Sequence, residues 1–361
     1  MRVAVTVEQF WHPVPGGTAR ATHKTVRALQ RTGEIDLVGV AAAHPDGMEA
    51  SELTIPVVHS RLKRPVLYES WLRLNRPRIQ PLVDGCDVIW ASAMVPPPQD
   101  GSALVSTVHD LEFLDHPEWH TSRGRNFFPR AFKAAAKRSD LIACPSQTVA
   151  DRCADAGVEP DRLRVIPWGV SASRVEDREI SEIRAHYGLP DTFVLWVGTI
   201  EPRKNLTGLA AAMQSLDVPV AVVGPDGWKL TVEDAILGPL GDRCHRLGKV
   251  PDRDLHCLYA AASVFAFPSH AEGFGLPVLE AMAQGTPVVT SRGTATEETA
   301  GGAALLVDPN DPAEIADSIE RLLDDEVLAA RHTALGLDRA HVMSWDTTAS
   351  GYAAAFAEAL G

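Results

Sequence analysis

Short apolar runs alternate with helix-length amphipathic patterns along the whole chain, and the series occurs twice. Strands covered on both faces read as unbroken hydrophobic runs, and such runs separated by helices belong to parallel sheets wound with crossover helices. Candidate strands in the first series are 3–7, 37–41, 88–90, 104–108, 141–143 and 163–166, with helical patterns at 18–30 and 130–137. A second series runs through 193–197, 220–223, 264–267, 288–290 and 304–307. Between them lies Pro167-Trp168-Gly169-Val170-Ser171-Ala172-Ser173, which has no periodicity and is the expected linker. A length of 361 residues allows two domains, each able to bury its own core. The boundaries expected are 1–170 and 171–344, followed by a terminal helical segment at 345–361.

No stretch approaches the roughly 18 apolar residues of a membrane span. The run Met1-Arg2-Val3-Ala4-Val5-Thr6-Val7 is too short for a signal peptide and reads as a first buried strand. Cys86, Cys144, Cys153, Cys244 and Cys257 are odd in number and contain no Cys-x-x-Cys pair. Neither a disulfide framework nor a structural zinc is expected, and a reducing cytoplasm is the expected location. Net charge is −13, divided as +1 over residues 1–170 and −14 over 171–361. Neither half has the basic excess that nucleic-acid binding requires.

The densest cluster of chemistry is Ser269-His270-Ala271-Glu272-Gly273-Phe274-Gly275-Leu276-Pro277-Val278-Leu279-Glu280-Ala281-Met282-Ala283. Gly273, Gly275 and Pro277 rule out a continuous helix between the two acids. Pro277 suits the first turn of a helix, so Glu280 is expected near a helix start and Glu272 on the preceding loop. Phe274, Gly275 and Leu276 then surround a set of backbone N–H groups of the kind that binds phosphate.

This run closely resembles the Glu-x7-Glu signature of the retaining family 4 glycosyltransferases of the GT-B fold. The glycines, the proline and the following Glu-Ala-Met-Ala match as well as the acids. The resemblance implies an α/β chain of two Rossmann-like doubly wound domains facing a central cleft. The first would bind the acceptor and the second the nucleotide sugar, with the C-terminal helix crossing back onto the first domain. It further implies that Glu272 lies by the donor sugar and that Glu280 accepts from the ribose hydroxyls. An ionised carboxylate, which only accepts, suits that second role.

Other motifs extend the resemblance. Gln9-Phe10-Trp11-His12-Pro13-Val14-Pro15-Gly16-Gly17-Thr18 joins a strand to a helix, and the pair Gly16 and Gly17 lets amides approach an anion, although a plain tight turn uses glycines in the same way. It is similar to the family's glycine loop over the donor diphosphate, and the absence of Gly-x-Gly-x-x-Gly disfavours a nicotinamide enzyme. Val197-Gly198-Thr199-Ile200-Glu201-Pro202-Arg203-Lys204-Asn205 brings Arg203 and Lys204 to a strand end, where two cations suit a pyrophosphate. Many family members have arginine where this chain has Thr199, so Arg203 is the expected substitute charge. His109 and Asp110 follow the strand at 104–108; His109 resembles the family's catalytic-loop histidine, and Asp110 is placed on the acceptor side. Gly224 and the 246–251 loop, which includes Val250, are expected to line the nucleotide base through backbone.

Two patterns are set aside. Asp252-Arg253-Asp254 matches a metal-binding Asp-x-Asp but precedes a helical pattern and reads as a helix cap and first-turn acid. His270-Ala271-Glu272 lacks the Pro-Cys-x-x-Cys of zinc deaminases. No metal and no cofactor are expected beyond the nucleotide-sugar co-substrate. The basic stretches 61–78 and 123–138 suit an anionic membrane or a lipid phosphate, and suit better amphipathic surface helices packing their apolar face inward. The reading is thus a retaining hexosyltransferase acting on a glycan, glycolipid or small-molecule acceptor. The 198–205 segment, similar to that of bacterial mannosyltransferases, favours GDP-mannose over UDP-glucose or UDP-GlcNAc. A GT-B phosphorylase, a hydrolase and a non-catalytic nucleotide-sugar sensor are the rival readings.

Overall fold

The computed structural model describes residues 1–11, 16–45, 53–171, 173–226 and 236–361. Two compact units divide the chain: Met1–Gly169 together with Trp345–Gly361, and Val170–Ser344.

In the first unit β1 (Arg2–Thr6), α1 (Gly16–Thr32), β2 (Asp36–Ala41), β3 (Val57–His59), α2 (Arg64–Arg73), β4 (Val88–Ala91) and β5 (Ala103–Thr107) follow in order. They continue with α3 (Glu112–Asp115), α4 (Ser122–Arg138), β6 (Leu141–Cys144), α5 (Gln147–Asp155) and β7 (Leu163–Val165). Among the described residues the sheet order is β3-β2-β1-β4-β5-β6-β7. Neighbouring strands pair in parallel, for example Val5 with Gly39 and with Trp90. The central strands are apolar on both faces because helices cover both.

The second unit contains α6 (Asp177–Tyr187), β8 (Val194–Val197), α7 (Leu206–Met213), β9 (Val220–Val223), β10 (Cys244–Gly248), α8 (Asp252–Ala261) and β11 (Val264–Phe267). After these come α9 (Leu276–Gln284), β12 (Val288–Ser291), α10 (Ala295–Ala300), β13 (Leu305–Val307), α11 (Pro312–Asp324) and α12 (Glu326–Val342). Its parallel order is β10-β9-β8-β11-β12-β13.

The last helix, α13 (Trp345–Ala359), belongs to the first unit. Tyr352 and Phe356 pack on Trp90, with ring centroids 4.6 and 5.8 Å away, and the Tyr352 hydroxyl lies 2.9 Å from Thr107 Oγ1. Arg31–Asp346 and Arg164–Glu358 ion pairs pin its two ends.

Strands β3 and β10, which the sequence reading did not single out, are partly buried sheet edges: β3 is only Val57-Val58-His59, and β10 sets His245 and Arg246 between Cys244 and Leu247. The segment expected as a base-lining loop at 246–251 therefore begins inside β10. The basic stretches resolve into α2 and α4. Leu67 and Trp71 of α2 and Phe127 of α4 join one core, while Phe128 and Phe132 join another around Phe113. Arg130 pairs with Glu69 at 2.6 Å, and Arg138 donates to the carbonyls of Trp71 and Pro96 at 3.0 and 2.8 Å. Leu67, Trp71, Phe127, Phe128 and Phe132 are thus used within the unit itself, while Val66 of α2 and Leu74 at its C-cap stay exposed.

At the ends of β8 and β9 the backbones nearly touch. Gly224 has φ +137°, and a Cβ there would lie 1.9 Å from the Gly198 carbonyl oxygen. Gly224→Ala should destabilise the protein by about 3 kcal/mol, since backbone must move to relieve the collision. Thermal or urea unfolding of the purified variant checks this, and an unchanged midpoint would contradict it.

Candidate active site

Open parallel sheets bind ligands beyond the carboxyl ends of their strands, where the strand order reverses. In the second unit that point lies between β8 and β11. The loop after β8 carries Glu201, Arg203 and Lys204, and the loop after β11 carries Glu272. Lys204 Nζ is 2.6 Å from Glu272 Oε1, Arg203 Nη1 is 2.8 Å from Glu272 Oε2, and Arg203 Nε is 2.8 Å from Glu201 Oε1. The Lys204 and Glu272 side chains are only 10% and 9% exposed. The Lys204 ammonium also sits 4.9 Å from the Phe267 ring centroid, a cation–π contact.

Local sequence explains how these side chains meet. A Cβ on Gly198 would fall 2.6 Å from Lys204 Cδ, so glycine is what lets the lysine stem lie along the strand end. Asn205 caps α7 by accepting from Gly208 N at 3.0 Å, while its Nδ2 donates to the carbonyls of Pro268 and Pro309 at 2.9 and 2.7 Å. His270 N donates to Arg203 O at 2.8 Å. The two loops are therefore joined through backbone as well as through charge.

Two cations share one carboxylate, and the pKa directions follow. Burial pushes the Glu272 carboxyl up, but Arg203 and Lys204 more than offset it and hold the group below its ordinary value. Lys204 moves down: burial and the like charge of Arg203 outweigh the attraction of Glu272 and Glu201. The Lys204 direction is opposite to that of a simple ion pair, because burial is its largest cause and it shares Glu272 with Arg203.

Pro277 lies in the first turn of α9 and Glu272 on the loop before it, as the sequence leads one to expect. Helix α9 starts at Leu276 with Gly275 as its N-cap, so Glu280 lies near the helix start, as its fifth residue. It is 7% exposed, and its Oε2 accepts from the Tyr259 hydroxyl at 3.0 Å. Phe274 and Leu276 are buried, and the Phe274 carbonyl accepts from Thr299 Oγ1 at 2.5 Å, so any donor contact from this turn comes from its remaining backbone groups. Thr199 and Val250 are half-buried, after β8 and β10 respectively. Gly224 N donates to Gly248 O at 2.8 Å, giving that glycine a structural role at the strand ends. Asp252 and Asp254 both lie in the first turn of α8, whose N-cap is Pro251 rather than an aspartate, and Asp254 accepts from Tyr187 at 2.8 Å.

In the first unit Gly16 and Gly17 open α1 and are exposed; residues 12–15 lie outside the described residues. His109 follows β5, with Nε2 2.7 Å from the Ser92 carbonyl and its ring 5.5 Å from that of Trp168. Burial holds its pKa down, against the Ser92 hydrogen bond and the Asp110 charge, which raise it. Asp110 is half-buried beside it. Sequence reading missed Glu201, Ser92 and Tyr259. Glu201 is visible in hindsight beside Arg203, whereas nothing in the chain near Ser92 or Tyr259 marks them.

Lys204→Met should lower stability by about 2 kcal/mol, less than the roughly 3–5 of a fully broken buried pair, because Arg203 stays on Glu272. Glu272 contributes stability that is fully present above its ordinary value of 4.5 and is lost as pH falls through its lower folded value. Melting temperature should therefore fall below pH 4.5 more steeply in the unaltered protein than in Glu272→Gln. Parallel pH–Tm curves for the two would contradict the pairing.

The sequence relatives accord with this architecture. The profile of glycosyl transferases group 1 matches residues 179–335, and that of Glycosyltransferase Family 4 matches residues 15–174. O-antigen chain mannosyltransferase B of Escherichia coli is 34% identical over 80% of this chain and 80% of its own. D-inositol 3-phosphate glycosyltransferase of Acidothermus cellulolyticus is 32% identical over 72% of this chain but only 63% of its own length. MMP alpha-(1->4)-mannosyltransferase of Mycolicibacterium hassiacum is 30% identical over 72% and 66%. Among solved structures, sucrose-phosphate synthase from Thermosynechococcus elongatus superposes with a TM-score of 0.79 at 21% identity over 99% of this chain and 98% of that one. Anabaena HepE in complex with UDP and glucose does so with 0.77 at 18% over 99% and 100%. Two wound parallel sheets, a terminal helix returned to the first unit and relatives matched across both halves lead to one conclusion: the chain belongs to the family 4-type glycosyltransferases of the GT-B fold, enzymes that transfer a hexose.

Proposed function

We propose that this glycosyltransferase moves mannose from GDP-mannose, with retention at the anomeric carbon, to a glycan or lipid-linked acceptor. The observation that carries the reading is the buried Arg203–Glu272–Lys204 cluster at the switch point of the second unit. Support for mannose comes from the two relatives named as mannosyltransferases. In the proposed reaction the bond from C1 to the diphosphate oxygen breaks, and a bond from C1 to an acceptor hydroxyl oxygen forms on the same face. The hydroxyl proton leaves with the diphosphate. Lys204 and Arg203 supply the charge that the departing diphosphate needs, and a diphosphate that engages them takes over part of the role of Glu272. Glu280, oriented by Tyr259, is the proposed acceptor for the ribose hydroxyls. No metal is invoked: Asp252 and Asp254 sit in a helix turn, with Asp254 accepting from Tyr187.

The test is nucleoside diphosphate release from GDP-mannose, UDP-glucose and UDP-GlcNAc, with and without mannosides or lipid extracts as acceptors. Acceptor-dependent release of GDP, with an α-linked product by NMR, is the expected result. Release without acceptor would make the protein a hydrolase, and binding without release a sensor. UDP-glucose is included because HepE, a likeness of fold alone, was solved with UDP and glucose. Activity should persist in excess chelator; a loss restored by magnesium or manganese would overturn the metal-free scheme. Glu280→Gln should weaken GDP binding by about 1–3 kcal/mol in calorimetry. An unchanged Kd would remove Glu280 from the nucleotide site.

A further inference from the structure

The first unit has its own switch point, between β1 and β4, with β5 next in order. Gln9, in the short turn after β1, donates from Nε2 to Thr22 Oγ1 at 3.0 Å and to Ser92 Oγ at 2.9 Å. Both hydroxyl protons are already committed. Thr22 Oγ1 donates to the Thr18 carbonyl at 3.0 Å, and Ser92 Oγ donates to the Thr6 carbonyl. The two hydroxyls can therefore only accept from Gln9, which fixes the amide with its NH2 inward. Its Oε1 is buried and has no partner among the described residues.

Ser92 also fixes His109. Its carbonyl accepts from His109 Nε2 at 2.7 Å, so the proton of the neutral ring sits on Nε2 and Nδ1 keeps its lone pair. Nδ1 is likewise buried and unpartnered among the described residues. One serine thus sets the orientation of two side chains, and each is left with a bare acceptor. Buried acceptors without donors are costly, and they become satisfied when a ligand brings O–H groups.

We propose that Gln9 Oε1 receives a hydroxyl donor of a hexose ring, joining His109, whose contact with a sugar the family resemblance already implies; this makes Gln9 a substrate-binding and specificity-determining residue and Ser92 the residue that positions both. A pair of acceptors selects hydroxyls and disfavours phosphate or carboxylate at the same place. The hydroxyls belong either to the transferred hexose of the donor or to the acceptor sugar. This inference rests on the hexosyltransferase reading above.

The experiment compares Gln9→Met, which keeps volume and loses the acceptor, with the unaltered protein. Methyl α-mannoside and its monodeoxy analogues serve as acceptors, and GDP-mannose and its monodeoxy analogues as donors. The expected result is a fall of about 10-fold in kcat/KM for the full sugars. For one deoxy analogue, which lacks the hydroxyl concerned, variant and unaltered protein should agree within about 2-fold. If that analogue is an acceptor, the subsite holds the acceptor sugar; if it is a donor, the subsite holds the transferred hexose. Equal losses with every sugar, or no loss with any, overturn the proposal. Ser92→Ala frees the Gln9 amide while keeping the carbonyl that His109 uses. It should show a smaller loss that disappears with the same analogue, and it serves as the second variant should Gln9→Met prove unstable in a melting assay. Failure of the donor reading is distinguishable, since the unaltered protein would then release no GDP from GDP-mannose; the series is then run with UDP-glucose and its deoxy analogues.

Discussion

A parallel sheet covered by helices on both faces leaves polar chemistry little room except at the strand ends. That constraint organises the molecule. Strands such as Val194–Val197 and Val264–Phe267 are buried along their length, and within a few residues of their carboxyl ends the chain switches to Lys204, Arg203 and Glu272. The first unit makes the same transition: Thr6 gives way to Glu8 and Gln9, and Thr107 to His109 and Asp110. Apolar strands provide rigidity, and the loops that follow them inherit it through short backbone ties such as His270 N to Arg203 O.

The cluster in the second unit is balanced before any ligand arrives, with two cations facing Glu201 and Glu272. A neutral set of buried charges avoids the desolvation penalty of lone cations. In the proposed reaction, a diphosphate that engages this set exchanges one anionic partner for another, so its attraction is a difference between two strong interactions. Under that proposal the arrangement serves differential stabilisation, with an advantage that grows as charge builds on the leaving group.

Much of the fold was legible because burial on both faces writes itself as hydrophobic runs. The central strands stood out for that reason, as did the edge strands β7 and β13; β10 did not because it mixes polar with apolar residues, nor did β3, which is only three residues long. The Glu272 region was legible from its glycines and proline, which exclude a continuous helix. The partners of its acids were not. Nothing in the sequence places Tyr259 beside Glu280, which lies 21 residues away, or Ser92 beside His109, which lies 17 away. Side-chain hydrogen bonds of this kind depend on helix-to-helix and loop-to-loop packing, to which local pattern is blind. The basic stretches show the reverse case, where one amphipathic pattern suits either a membrane or the protein's own interior, and packing decides for Phe127, Phe128 and Phe132.

The chain leaves the first unit at Gly169 and re-enters it at Trp345, so the second unit is an insert within the first. Its two ends are held side by side, with Val170 N donating to Met343 O at 2.8 Å and Val170 bridged to Ser344. A segment whose termini are neighbours is one that recombination can exchange whole, because a replacement needs only the same two adjacent ends to be spliced in. The architecture therefore lets evolution, or an engineer, trade one half of the enzyme for that of a relative without redesigning the other.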